Sequence, residues 1–334
     1  MRCLAIADTH LGYQAGKTAE ARKFMYNQMF SVFSDVLDIA REKKVDYVLH
    51  GGDIFNRSKP PKKTIHQTYQ LIEELLKDDI GFLVTPGNHE RSKLPNTLLR
   101  FHPKCHIFTK FDAIALDDYY KLIGFPYSSN VKQEVIPKIE KVTQENTENS
   151  FLMLCHQLFD GAEFGPKRFR FTLAHGSMDP LIMPTKLKLI ITGHIHRAQK
   201  LHDGFIVYPG STERTSFVEA IEPKGYLLID LASDSLQVSF QELNSIPMTV
   251  IEINLKKQAI NIQELKDKIS KGLIRTLVRF TGRSLSSVEL TQLSEKFPTH
   301  DYPLLTITPR FPIQELQPLF EIDTSKFSFE PFER

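Results

Sequence analysis

Five apolar runs of strand length each end on oxygen or imidazole side chains, and this repetition limits the fold more than any other feature. Leu4 to Ala7 runs into Asp8-Thr9-His10-Leu11-Gly12, and Val45 to Leu49 into His50-Gly51-Gly52-Asp53-Ile54-Phe55. Phe82 to Thr85 leads to Pro86-Gly87-Asn88-His89-Glu90, Phe151 to Cys155 to His156, and Leu187 to Thr192 to Gly193-His194-Ile195-His196. Between the first three runs lie two stretches with helical spacing. Phe24 to Lys44 carries Met29, Phe33, Val36, Leu37 and Ala40 on one face, and Thr64 to Lys77 carries Ile65, Tyr69, Ile72 and Leu76. Strands alternating with helices of this length predict βαβ units around a parallel sheet. Such sheets place their sites at the carboxyl ends of the strands, where every one of these clusters falls.

The remainder is less regular. Ile107 to Leu116 and Tyr120 to Gly124 read as strands, Val131 to Gln144 as a polar amphipathic helix, and 145–150 as a solvated loop. From Phe205 to Phe240, β runs separated by turns predict a second sheet packed on the first. A boundary is expected between Gln241 and Pro247, dividing the chain into domains 1–243 and 248–334. The second would be a small α+β module. Its strands are Thr249–Ile253, Arg275 to Phe280 and Leu304 to Thr308, and its helices are near Ile262 to Lys271 and Ser286 to Lys296.

Composition narrows the partners. The 42 basic and 40 acidic residues leave a net charge of +2, so a nucleic-acid surface would have to be a local patch. The three cysteines, Cys3, Cys105 and Cys155, make no Cys-x-x-Cys motif and no disulfide framework. Cys3 and Cys155 sit in apolar runs and read as buried thiols of a reducing compartment. No run approaches the roughly 20 apolar residues of a membrane span, and Met1 to Ala7 is too short for a signal peptide. The expected location is cytoplasmic and nucleoid-associated.

Phosphate-ester hydrolysis needs charge neutralised on the non-bridging oxygens, a hydroxide nucleophile, and help for the departing oxygen. Two cations about 3.5–4 Å apart supply the first two at neutral pH. Mixed imidazole, carboxylate and amide donors suit Mn, Fe or Zn. A lone Gly-Asp is more often a turn, and a lone histidine more often a core or surface residue. Asp-x-His, Gly-Asp, Gly-Asn-His, His and Gly-His-x-His at successive strand ends make a strong combined signal for a two-metal phosphoesterase.

These residues resemble the calcineurin-like metallophosphoesterase superfamily. Further features are similar to the SbcD-type DNA-repair nucleases, which work with an SMC-like coiled-coil ATPase. They are Asp8-Thr9-His10-Leu11-Gly12, the Gly52-Asp53-Ile54-Phe55-x-x-Ser58-x-Pro60 run, and Tyr208-Pro209-Gly210-Ser211-Thr212-Glu213-Arg214 followed by Lys224-Gly225-Tyr226. The likeness covers residues 1 to about 235 and, more loosely, the C-terminal module. It implies an α/β fold, a sandwich of two mixed β-sheets flanked by helices, with the C-terminal module as a capping domain that positions DNA. It implies one metal held by Asp8, His10 and His196, another by Asn88, His156 and His194, and Asp53 bridging. His89 would then contact the scissile phosphate and assist the leaving oxygen. Two positions depart from the family's pattern: Asn56 stands where many relatives have a second histidine, and Glu90 replaces the commoner Asp.

Arg57, Lys59, Lys62 and Lys63, then Arg91 and Lys93, follow two of the metal motifs directly. The run 164–171 alternates aromatics with bases. Both are candidate phosphate-backbone contacts. The resemblance also implies a homodimer, built in part by the Ile65 to Leu76 stripe with Leu94, Leu98 and Leu99. The leading expectation is a Mn-dependent DNA nuclease with exonuclease and single-strand endonuclease character. Its rivals are a phosphodiesterase or phosphatase acting on nucleotides or other small esters, and a DNA-binding subunit with vestigial hydrolysis.

Overall fold

The computed structural model describes residues 1–308, apart from 96, 167, 171–175, 234, 270 and 273. The chain begins with β1 (Arg2–Ile6), α1 (Ala19–Glu42), β2 (Tyr47–His50), α2 (Lys62–Lys77) and β3 (Gly81–Val84). These are the expected βαβ units. The hydroxyl of Thr18 caps α1 by accepting from the Ala21 N–H, satisfying a donor that has no partner inside the helix. Next come β4 (Cys105–Ile107), β5 (Asp112–Ala115), β6 (Tyr120–Gly124), α3 (Val131–Glu134), α4 (Ile136–Glu145) and β7 (Ser150–Cys155). A two-stranded hairpin, β8 (Glu163–Phe164) and β9 (Phe169–Arg170), precedes β10 (Leu187–Thr192), β11 (Gln199–Leu201), β12 (Ile206–Tyr208), β13 (Gly225–Leu231) and β14 (Leu236–Glu242).

Two six-stranded sheets result, in the orders β14-β13-β1-β2-β3-β4 and β11-β12-β10-β7-β6-β5. Both are mixed. β1 to β4 run parallel, with β13 antiparallel to β1, and β6, β7, β10 and β12 run parallel, with β5 and β11 antiparallel at the edges. Period-two alternation builds the layers. In β1, Cys3 and Ala5 face the second sheet, among Leu152, Leu154, Leu189 and Ile191. Leu4 and Ile6 face the helices, among Phe33, Val36, Ile72 and Leu75. On the outer side of the second sheet, Met153, Cys155 and Ile190 pack against Val131, Ile136 and Ile139.

Three local readings are corrected. Ile107 to Leu116 is not one strand: β4 ends the first sheet and β5 the second, and Thr109 to Phe111 carry the chain between them with Phe108 buried in the interlayer. The helix expected over Val131 to Gln144 breaks at Val135, ahead of Pro137, whose ring and missing N–H oppose continuation. The β runs of Phe205 to Phe240 do not form a sheet of their own. β12 completes the second sheet, and β13 and β14 complete the first.

Beyond Glu242 the chain forms β15 (Met248–Asn254), α5 (Ile262–Lys268), β16 (Arg275–Thr281), α6 (Ser287–Lys296) and β17 (Leu305–Thr308). The three strands make a parallel sheet in sequence order, packed around Val278, Phe280, Leu265 and Leu293. This is the expected strand and helix order, although the end of the anticipated 248–334 module lies outside the described residues.

Candidate metal centre

The loops that leave β1, β2, β3, β7 and β10 meet at one point between the two sheets. Those after β1 and β2 are laced together by Asp8 N–H to the Gly52 carbonyl (2.9 Å) and His10 N–H to the Asp53 carbonyl (3.0 Å). Four residues of this cluster, Asp8, His10, Asp53 and His194, have positive φ, between 45° and 84°. A non-glycine residue resists that conformation, at a cost of order 1–3 kcal/mol each. Left-handed turns at these positions aim successive side chains at a common centre. Two glycines leave the room: a Cβ on Gly52 would lie 2.4 Å from His156 Nδ1, and one on Gly87 only 2.1 Å from Asp53 Oδ1.

Asp8, His10, Asp53 and His156 are each no more than 1% exposed. Asp53 Oδ2 lies 3.4 Å from His156 Nε2 and 3.9 Å from the Nε2 atoms of both His10 and His89. His10 and His196 bring their Nε2 atoms within 3.0 Å of each other. Asn88 Oδ1 lies 2.9 Å from His156 Nε2 and 3.1 Å from His194 Nδ1. Asp8 accepts the His194 N–H on both oxygens, at 3.1 and 3.2 Å. All seven expected ligands therefore converge. Asp8, His10 and His196 form one compact donor group, and Asp8, Asp53 and His156 another. His89 is set beside them: its Nδ1 meets the Asn56 carbonyl at 3.1 Å, which turns Nε2 toward Asp53. His10, Asp53 and His89 also lie close enough together to share an ion.

The donor chemistry fits divalent cations. His156 Nδ1–H donates to the Gly51 carbonyl at 2.7 Å, so on a neutral ring Nε2 carries a lone pair aimed at another acceptor, Asn88 Oδ1. A proton or a cation must stand between two such acceptors; with His156 raised to about 9, a cation would bind there by displacing the proton. Asp53 Oδ2 is buried with no well-directed hydrogen bond, and so is His10 Nδ1, an arrangement that costs stability unless something compensates it. Protonation follows the same field. Burial would raise Asp53, yet His156, His10 and His89 hold it well below the usual carboxylate range. Burial opposes a charge on His156, but Asp53 and Asp8 outweigh it and raise the imidazole to about 9. Burial, reinforced by His156, lowers His194 to about 3, and burial with His196 lowers His10. Those two rings are neutral and ready to donate.

The candidate DNA contacts sit at the rim. Arg57, Lys59, Arg91 and Lys93 are all exposed, on the loops that carry Asp53 and His89. Within the 164–171 run, Lys167 and Phe171 lie outside the described residues, and Arg170 is paired with Glu163 of its own hairpin (3.0 Å). The Ile65 to Leu76 stripe packs on the core through Ile72 and Leu76, with Ile65, Tyr69, Leu94 and Leu99 against its edge. The side chain of Leu98 is not described.

Sequence reasoning passed over several supports. His50 is fully buried beneath the centre, with Thr9 Oγ1 3.1 Å from its Nε2 and the Gly52 N–H donating to its Nδ1. Glu90 accepts from the Phe55 and Gly87 N–H groups at 2.8 and 2.7 Å, clamping the two ligand loops together. Glu219 reaches His196 Nδ1 at 3.3 Å. Its signal was present as Ser216-Phe217-Val218-Glu219, a capping-box pattern.

Comparison with known proteins agrees with this geometry. Archaeal proteins named DNA double-strand break repair protein Mre11 are similar over most of the chain. The one from Saccharolobus solfataricus is 26% identical over 284 residues, covering 80% of this chain and 70% of its own. The one from Methanocaldococcus jannaschii is 27% identical over 290 residues, covering 80% and 75%. The sequence model of the calcineurin-like phosphoesterases matches residues 1–198, which span every ligand cluster described above. The chain belongs to the calcineurin-like phosphoesterase family and is a metal-dependent phosphoesterase.

Proposed function

We propose that this chain is a dinuclear, manganese-dependent DNA nuclease of break repair, with exonuclease and single-strand endonuclease character. The observation that carries the reading is the convergence of five strand ends on Asp53 and Asn88, each within reach of two or more imidazoles. Asp8, His10 and His196 would hold one cation and Asn88, His156 and His194 the other, with Asp53 shared. When bound, the cations supply charge neutralisation on the phosphate and a nucleophile at neutral pH. The chain's own part is positional. Asp53 stays ionised among imidazoles, and His89, held by the Asn56 carbonyl, presents Nε2 where a leaving oxygen can take a proton. Arg57, Lys59, Arg91 and Lys93 would contact the backbone of DNA at the rim.

The names of the relatives and the capping-like module that begins at residue 248 support DNA over a small ester. We extend the reading to a homodimer, supported by Phe101, 70% exposed close to Leu99, and to an SMC-like coiled-coil ATPase partner, supported by the resemblance alone. The test is cleavage of labelled single- and double-stranded DNA beside a cyclic nucleotide, each with Mn2+ and with chelator. Manganese-dependent cutting of DNA is the expected result. Turnover of the small ester alone would replace the reading with a small-molecule phosphodiesterase, and binding without cleavage under any divalent metal would point to a DNA-binding subunit.

A further inference from the structure

Glu219 lies deep under one side of the metal centre, 5% exposed, at the end of the short turn Phe217–Glu219. Its Oε1 faces His196 Nδ1 at 3.3 Å and accepts from the Thr215 hydroxyl (2.9 Å) and the Ser216 N–H (3.0 Å). Its Oε2 accepts from Lys224 Nζ at 2.6 Å and from the Ser211 hydroxyl at 3.2 Å. Lys224, 1% exposed, also donates to the His196 carbonyl at 2.9 Å. A carboxylate on Nδ1 keeps the proton there, leaves Nε2 as the lone-pair nitrogen facing His10, and makes that nitrogen a stronger donor. His156 is anchored differently, on the neutral Gly51 carbonyl. The two proposed metal positions are thus backed unequally.

The same turn is gripped from the C-terminal module. Arg275 on β16, 5% exposed, donates to the Arg214 carbonyl (2.6 Å) and the Thr215 carbonyl (3.2 Å), and its guanidinium lies 5.2 Å from the Phe217 ring centre. Tyr13, on the loop after His10, donates to the same Thr215 carbonyl. Arg214 in turn donates to the Glu219 carbonyl at 3.2 Å. An unbroken polar chain therefore joins a strand near residue 275 to a candidate ligand at residue 196.

We infer that Glu219 is a positioning residue for the imidazole of His196, and that Arg275 holds the loop carrying it, so the C-terminal module tunes one of the two metal positions. This rests on the dinuclear reading above. The test is Mn2+ titration of the full chain, with unbound Mn2+ followed by electron paramagnetic resonance and folding checked by thermal melting. The wild type is expected to take up two ions. Glu219→Gln weakens one site by roughly ten- to a hundredfold and leaves the other alone. In a His196→Ala background it has no further effect. The double variant Glu219→Gln with Lys224→Met, which removes the lysine that would face a neutral amide with only the Glu222 carboxylate (3.7 Å) left to balance it, stays as weak as Glu219→Gln. Arg275→Met weakens the same site by roughly two- to thirtyfold, and adds nothing to Glu219→Gln.

Two wild-type sites in Glu219→Gln, equal weakening of both, or recovery of affinity in the Lys224 double variant would overturn the role of Glu219. An Arg275→Met protein with unchanged sites would overturn the link to the module. Failure of the wild type itself to bind two ions would count against the dinuclear reading instead.

Discussion

Asp53 Oδ1 accepts the backbone N–H of His89 at 3.0 Å. The carboxylate proposed to be shared between the cations therefore also fixes the residue proposed to meet the leaving oxygen. Replacing either side chain separates the two duties. His89→Ala is expected to keep both ions and lose 10²–10⁴-fold in cleavage, on the order of one general acid. Asp53→Ala should lose metal as well as activity. Elemental analysis alongside a nuclease assay distinguishes them, and equal metal loss in both variants would show that His89 is a ligand.

Gly87→Ala is a sharper probe of crowding. Its new Cβ would sit 2.1 Å from Asp53 Oδ1 and 2.6 Å from the Asp53 backbone nitrogen. Neither can retreat, since the first is clamped among histidines and the second is main chain. Overpacking of this kind costs about 1–3 kcal/mol, so a lower melting temperature and loss of metal uptake should appear together. Gly165→Ala, where an added Cβ meets nothing within 4 Å but the backbone stands at φ 70°, shows the cost of left-handed backbone strain alone and should leave metal uptake unchanged.

How much of this was legible in the sequence depended on whether a residue's signal was local. The convergence of the proposed ligands was readable because each is attached to an apolar run and the runs alternate with amphipathic helices. The partition between sheets was not readable. β12 and β13 are alike in sequence character, yet one joins the second sheet and the other the first, and long-range register decides this. In the sequence Glu90 stood out only as a departure from the commoner Asp, whereas in the fold its one carboxylate spans the Phe55 and Gly87 amides. His50 carried no motif, and only burial beneath Thr9 and Gly52 identifies it as a support.

The thiols offer a test independent of the centre. Burial pushes Cys105 and Cys155 up to about 12, and Cys3 still higher. Because the thiolate is the reactive form, the sign is clear: between pH 7 and 9 all three stay protonated and inert. A chromogenic disulfide reagent should titrate no thiol in the native protein and three after denaturation. Rapid reaction of one thiol in the folded state would show that the packing around it is looser than described.

Charge reversal at the rim tests the proposed path of DNA. Arg91→Glu and Lys59→Glu together should weaken binding uniformly across sequences and flatten the dependence of log affinity on log salt by roughly one unit per lost phosphate contact. Metal content should not change. An unaltered salt slope in fluorescence-anisotropy titrations would place the backbone path elsewhere.

The position of β1 carries a consequence for how the molecule is made. It lies inside its sheet, with β2 on one flank and β13, from Gly225–Leu231, on the other. Through the synthesis of more than two hundred residues, that first strand keeps one hydrogen-bonding edge bare, and a bare apolar edge recruits other strands. A fragment ending at residue 198 would contain every proposed ligand and still lack the strand that closes this flank, leaving a fragment prone to self-association. The ribosome must deliver the last strands of the sandwich before the first one is safe.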